Sequence, residues 1–305
     1  MTDNQNQKIT PNLWFAGTVN EASEFYVNIF PDSKITGGIN YPKSKEEGLA
    51  DFQQAMAGKP LTIEFCLAGY NFVGINAGPE FKPTPANSFM INFDPKKDDK
   101  AREHLDEIWQ KLSEGGKALM PLQEYDFSKY YGWVQDKYGF SWQLILTSPD
   151  GDDRPYIIPA LMFGGPAQNK AKEAIDYYTS VFRSSKKGLD YAYEKPSGPA
   201  TTESLMFADF TLENQWFVTN DSGVDQDFTF TEAVSYSVGC KDQAEIDYFW
   251  DKLSAVPESE QCGWCKDKFG VSWQIVPRNM DQALMKKPGA YKIMMNQKKI
   301  IIDEY

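Results

Sequence analysis

The stretch GWVQDKYGFSWQLI at residues 132–145 returns in register as GWCKDKFGVSWQIV at 263–276. Gly-Trp, Asp-Lys, Gly and Ser-Trp-Gln coincide, and the remaining positions keep their apolar or polar character. Working outward, IWQKL (108–112) answers YFWDKL (248–253), and the opening ITPNLWFAG (9–17) answers IIPALMFGG (157–165). Each opening is a short apolar strand with proline in third place. A Gly-containing turn and an amphipathic helix follow, EASEFYVNIF (21–30) in one copy and AKEAIDYYTSVF (171–182) in the other. Matches in the same order along both halves identify a tandem duplication.

Between these anchors the copies agree in pattern. LTIEFCLAGYNFVGIN (61–76) and LMFADFTLENQWFVTN (205–220) each predict strand, tight turn, strand, with turns at Ala68-Gly69 and near Glu213-Asn214. SFMINF (88–93) and VSYSVGC (234–240) predict a further strand, and the charged stretches after them predict helices over 98–113 and 242–253. Each copy therefore reads as two βαβββ-like halves, the last with two or three strands. Short antiparallel strands with only two helices per copy give an α+β class and argue against a doubly wound parallel sheet. They suit a strongly curved sheet around a cavity, and two such cavities are expected, one built by each copy.

SPDGDDRP (148–155) is polar, holds Gly and Pro, and reads as the linker between residues 1–150 and 151–277. Residues 278–305 form an extension: NMDQALMKKPG predicts a short helix stopped by Pro288-Gly289, and AYKIMMNQKKIIIDEY a second helix with an apolar end. Met294, Met295, Ile300, Ile301 and Ile302 are costly in water, so the extension is expected to pack across the two copies. A partner protein is the other reading of that surface.

The chain has 305 residues, with 43 acidic against 31 basic side chains and a net charge of −12. That balance repels phosphate backbones, and no nucleic-acid partner is expected. The polar start MTDNQNQKIT and the absence of an 18-residue apolar run predict a soluble cytoplasmic protein with no membrane role. Four cysteines fit a reducing compartment. Cys66 and Cys240 sit in apolar strands and read as small core residues. Cys262 and Cys265 have the CxxC spacing of a redox pair but lie on the approach to a strand. Copy one carries Tyr131 and Val134 there, so neither a redox nor a zinc role is expected.

The duplicated GW-DK-G-SWQ block, the ITPNLWF opening and the paired βαβββ pattern together resemble the PhnB-like branch of the vicinal oxygen chelate superfamily. That superfamily also holds glyoxalase I, bleomycin-resistance proteins and extradiol dioxygenases. The resemblance covers residues 9–147 and 156–277. It implies two tandem glyoxalase-like domains, each of paired βαβββ modules forming a curved mixed sheet around a cavity. Their pairing within one chain as a pseudo-dimer, or between chains as a homodimer, stays open.

Metal-dependent relatives place His, Glu or Gln on the first strand of each half and Glu on the final strand. The resemblance puts those positions at Asn12, Met90 and Gln143 in copy one, and at Ala160, Ser237 and Gln274 in copy two. Amide, thioether and methyl groups are poor substitutes for imidazole and carboxylate, so no metal and no other cofactor is expected. The single histidine, His104, reads as a surface residue of a helix. Glu64 and Asp209 are acids on apolar strands, either facing solvent or serving as a general base or orienting acceptor at a cavity wall. Asn12, Trp14, Glu64, Met90, Gln143, Asp209, Ser237 and Gln274 are the candidate ligand contacts.

Three functions follow for testing. The first is metal-independent binding of a small, partly apolar organic molecule. The second is an enzyme of unknown reaction, since PhnB-like sequences often carry the label 3-demethylubiquinone methyltransferase, although no Gly-rich nucleotide loop follows a strand here. The third is a structural or protein-interaction role centred on the apolar tail.

Overall fold

The structure is a computed structural model, and it describes residues 7–286 and 289–305. Four successive segments repeat one pattern. The first holds β1 (Ile9–Phe15), α1 (Val19–Ile29), β2 (Lys34–Asn40), β3 (Pro60–Leu67) and β4 (Tyr70–Asn76). The second holds β5 (Asn87–Phe93), α2 (Ala101–Ser113), β6 (Lys117–Tyr125), β7 (Ser128–Gln135) and β8 (Ser141–Leu146). The third holds β9 (Ile157–Phe163), α3 (Ala171–Val181), β10 (Lys186–Ala192), β11 (Leu205–Leu212) and β12 (Gln215–Asp221). The fourth has β13 (Val234–Cys240), α4 (Gln243–Leu253), β14 (Trp264–Lys266) and β15 (Ser272–Pro277), so it is one strand short. The extension supplies α5 (Met280–Lys286) and α6 (Ala290–Asn296).

The strands form two curved mixed sheets, and these do not follow the sequence repeats. One sheet runs β14-β15-β13-β1-β4-β3-β2 and the other β10-β11-β12-β9-β5-β8-β7-β6. Unit 1 accordingly comprises residues 1–82 and 231–305, and unit 2 comprises 83–230. Each unit joins half of one copy to half of the other through its proline-bearing strand: Thr10 pairs with Ser237 and Asn12 with Ser235 in unit 1, as Ile158 pairs with Met90 and Ala160 with Ser88 in unit 2. The expectation of one cavity per copy is therefore corrected, because each concave face needs strands from both copies. The linker at 148–155 separates sequence repeats and lies inside unit 2.

The helices cover the other face of each sheet. In unit 1, Tyr26 of α1 stacks on Phe65 at 6.0 Å between ring centroids and Phe65 on Phe72 at 5.6 Å, all three fully buried. Burying each such ring contributes roughly 1.5–3 kcal/mol. Since side chains alternate along a strand, Phe65 toward α1 sends Glu64 to the concave side. In unit 2, Phe210 stacks on Phe217 at 5.6 Å, and Asp209 is turned the same way as Glu64.

The GW-DK-G-SWQ block is a hairpin turn with a buried acid at its centre. Asp136 accepts the backbone N–H of Tyr138 at 2.8 Å and of Phe140 at 3.1 Å, and the indole N–H of Trp142 at 2.8 Å. Asp267 does the same for Phe269, Val271 and Trp273 at 2.8, 3.1 and 2.8 Å. Gly139 and Gly270 close the two turns at the same φ of 91°, a region where a Cβ is strained. Repeat identity here is explained by the turn and by the two central tryptophans, which are about as buried as any residue.

The extension is bound to unit 1. Tyr291 of α6 packs with Tyr41 and Leu49, and Met294 and Met295 lie against the same cluster. Beyond α6, Gln297 and Lys298 carbonyls accept the N–H groups of Cys262 and Gly263 at 2.8 and 2.7 Å, along the edge left by the short fourth segment. Ile300 is fully buried. Among the described residues no helix is long and apolar enough to cross a membrane.

Candidate functional site

The two concave faces differ at matched positions. In unit 2 the face is filled by its own side chains: Met90, Ile158, Ala160 and Val218 form a buried cluster, with Ile145, Phe207 and Trp216 packed on it. In unit 1 the register places Ser237 where unit 2 has Met90, Thr10 for Ile158 and Asn12 for Ala160. From the shared hairpin register, Thr62 replaces Phe207 and Asn71 replaces Trp216, while Val73 and Val276 keep the small apolar character of Val218 and Ile145. All seven unit 1 residues line an open cleft of about 1500 Å³. Shorter, more polar side chains on an otherwise equivalent sheet are the physical reason that one unit is open.

A polar row crosses the cleft floor. Asn12 pairs with Val73, and Val73 with Glu64, along adjacent strands. Asn12 is buried and donates its amide N–H to the Thr10 carbonyl at 2.8 Å. Gln274 donates to Ser235 Oγ at 2.9 Å, as Gln143 donates to Ser88 Oγ at 2.8 Å in unit 2. The Gln143 oxygen is also occupied, accepting the Tyr131 hydroxyl at 2.8 Å. In unit 1 the Tyr131 position belongs to Cys262, which lines the cleft and has no such hydroxyl.

Glu64 is the electrostatic centre of the cleft. Its carboxyl group is pushed up to about 7 by a hydrogen bond with Asp281 of α5, then by burial, then by the Asp281 charge. It lies close to Gly37 on the neighbouring edge strand, where a Cβ would stand 3.0 Å from Glu64 Oε2. Asp209 approaches Gly188 closely in the same way, but it is otherwise engaged. Its Oδ1 accepts the Leu189 N–H at 2.8 Å, and its Oδ2 accepts the guanidinium of Arg154, a residue of the linker.

Of the sequence-derived candidates, Asn12, Glu64, Ser237 and Gln274 come together on the unit 1 cleft. Met90, Gln143 and Asp209 come together in unit 2, where Met90 is core, Gln143 is saturated at both ends and Asp209 is ion-paired. Trp14 stands outside the cleft lining; its indole donates to the Gly78 carbonyl at 2.8 Å, and its ring meets Phe81 and Trp264 edge-on. Sequence reasoning missed Asp281, Arg154, Thr62 and Asn71. The substitution of Phe207 and Trp216 by Thr62 and Asn71 was the available signal, since both pairs occupy matched hairpin positions.

The superfamily's metal positions do not fit a metal in either unit. Unit 1 offers there only the neutral amides of Asn12 and Gln274 and the Ser237 hydroxyl, which donates to the Thr10 carbonyl at 3.2 Å, with no imidazole or carboxylate, and unit 2 offers Ala160, Met90 and a Gln143 whose oxygen already accepts the Tyr131 hydroxyl. Among the described residues no three His, Cys, Asp or Glu side chains are grouped to hold an ion. His104 is half-exposed, with Nδ1 2.6 Å from Asp98, on α2. All four cysteines are free thiols; burial pushes Cys262 and Cys265 up, opposite to what a reactive thiolate needs.

A family model described as 3-demethylubiquinone-9 3-methyltransferase matches residues 7–145 and again 155–276. No curated protein matches the chain. Among solved structures, a PhnB protein from Bacillus cereus is 36% identical over 46% of this chain and all of its own, with a TM-score of 0.39. Protein PA1353 from Pseudomonas aeruginosa is 20% identical over 44% of this chain and 93% of its own, with a TM-score of 0.36. Glyoxalase I from Zea mays is 12% identical over 92% of this chain and 98% of its own, with a TM-score of 0.51, a likeness of fold alone. With both repeats matched, the chain belongs to the 3-demethylubiquinone-9 3-methyltransferase family, the PhnB-like branch of the vicinal oxygen chelate superfamily, in a tandemly duplicated form.

Proposed function

We propose that this chain binds a small, partly apolar organic molecule in the unit 1 cleft, without a metal. The observation that carries this reading is the exchange of side chains at matched positions. Unit 2 plugs its concave face with Met90, Phe207 and Trp216, whereas unit 1 has Ser237, Thr62 and Asn71 around about 1500 Å³ of space. Small-molecule pockets commonly span roughly 300–1000 Å³, so the opening has room for a ligand with solvent beside it. Val73, Val276 and Trp264 supply apolar contact, and Asn12, Glu64 and Gln274 supply orienting polar groups. The test is calorimetric titration of a small-molecule library against the full chain and against Thr62→Phe/Asn71→Trp, which restores the unit 2 plug. Ligands that bind only the unfilled protein support the reading; equal binding to both proteins removes it.

A second reading, proton transfer by Glu64, draws on the carboxyl at about 7, the value at which a general base works best near neutral pH. It predicts turnover with a controlling ionisation near that value, lost in Glu64→Gln. Asp209 lends no support to a matching role in unit 2, being neutralised by Arg154. The methyl transfer in the family's descriptive name finds no support in a nucleotide loop of this sequence. The docking role considered for the tail is disfavoured by the burial of Ile300 within unit 1.

A further inference from the structure

Unit 2 contains an occupant for its acid, supplied by its own chain. Arg154, with a side chain only 15% exposed, places its guanidinium on the Asp209 carboxylate, itself 3% exposed. The same group lies 5.4 Å from the Trp216 ring centroid and 5.6 Å from that of Phe207. It is an organic cation held by a carboxylate and aromatic faces on the concave side of the sheet.

Unit 1 repeats the acid and omits the cation. Glu64 occupies the register position of Asp209, opposite Val73 as Asp209 is opposite Val218. The chain that leaves β15 brings Asp281 to it, another acid, where the chain that leaves β8 brings Arg154. Lys8 is held by Glu245 at 2.7 Å and Arg278 donates Nε–H to the Gly239 carbonyl at 3.2 Å, so neither takes the place of Arg154. Lys34 and Asp32 complete the charged groups along the cleft. Asn12 and Gln274 each commit one amide N–H to a protein oxygen, and their carbonyl oxygens receive no protein donor among the described residues. Two carboxyls therefore meet at the position whose twin in unit 2 holds a guanidinium.

Resting on the reading that the cleft takes a small organic molecule, we propose that this molecule is an organic cation, an alkyl- or arylalkyl-ammonium or guanidinium compound. Its charged head lies on Glu64 and Asp281, as Arg154 lies on Asp209. Its apolar body rests on Val73, Val276 and Trp264. The Asp281 carboxyl raises that of Glu64, and a bound cation offsets the repulsion, so binding releases a proton from Glu64 near neutral pH.

The experiment is calorimetry on the full chain with four probes of one shape: phenethylguanidinium, phenethylammonium, 2-phenylethanol and 3-phenylpropionate. At pH 8 the two cations are expected to bind at least about tenfold more tightly than the alcohol, the size of one charge-assisted hydrogen bond. Glu64→Gln and Asp281→Asn should each remove most of that preference, weakening the two cations far more than the alcohol. Two buffers of different ionisation enthalpy at pH 6.5 should report proton release with the cations alone. Thermal melts check that each variant is folded, and Asp281→Asn, on the peripheral α5, decides if Glu64→Gln is not. Alcohol or propionate binding as tightly as the cations, or a cation preference that survives in the folded variants, overturns the proposal while leaving the small-molecule cleft standing. Failure of all four probes to bind at millimolar concentration overturns both.

Discussion

Asp136 accepts the indole N–H of Trp142 at 2.8 Å, and Asp267 accepts that of Trp273 at the same distance in the other unit. Each acid also holds two turn amides, and each tryptophan is the largest side chain fully buried in its sheet. Removing the carboxylate leaves three donors unpaired in the core. Asp136→Ala is expected to destabilise unit 2, and Asp267→Ala unit 1, by about 3 kcal/mol each, with the Asn variants costing less. Urea denaturation followed by tryptophan fluorescence measures both.

Arg154→Ala strips the partner from a buried carboxylate. A loss of about 3 kcal/mol in unit 2 is expected, the usual scale for breaking one side of a buried pair. Adding Asp209→Asn to the same chain should recover part of it, because the stranded charge is then gone. Equal stability of the single and double variants would contradict the pairing as described.

The Glu64 carboxyl makes unit 1 lose stability as pH rises. Its folded value, about 7, lies above the ordinary 4.5, so the folded state binds the proton more tightly. The contribution is fully present below about 4.5 and disappears on passing through about 7. Glu64→Gln should therefore match the parent near pH 4.5 and exceed it at pH 8. The gain is on the order of 1 kcal/mol, after discounting for the solvent that screens this half-buried group. Melting temperatures across pH 4.5–8 provide the check.

Ile300 anchors the tail, and Gln243 of α4 brackets it, donating to the Ile300 carbonyl at 3.0 Å and accepting the Ile302 N–H at 2.8 Å. Ile300→Ala is expected to cost about 2–4 kcal/mol. Hydrogen exchange should show lost protection at Cys262 and Gly263, whose amides bond to Gln297 and Lys298.

The order of strands and helices was legible because it rests on local pattern. The strands of ITPNLWF and IIPALMF, the hairpins after them and the DKYG and DKFG turns all carry their signals within a few residues. Helix starts slipped by one to three positions: Asp242 caps α4 by accepting the Glu245 N–H at 2.9 Å, and α2 begins at Ala101 after a turn. Which half pairs with which was not legible. Thr10 meets Ser237 across most of the chain, and nothing in either strand distinguishes that partner from a strand of its own copy. The candidate row of Asn12, Glu64, Ser237 and Gln274 was named residue by residue, but its assembly in one unit depended on that pairing. Asp281 and Arg154 were beyond reach for the same reason, being segment ends brought to an acid by tertiary contact.

The interleaved sheets bear on how such a chain can be divided. Cut near residue 150, neither fragment holds a complete sheet: β1 loses β13, and β5 loses β9. Each piece would be left with two half-sheets whose inner edges are exposed, so reassembly would become a second-order process that dilution opposes. The covalent link keeps those edges together at a fixed effective concentration. It also lets the two concave faces diverge independently, one retaining a hollow while the other fills with its own side chains, which a symmetric pair of identical chains could not do.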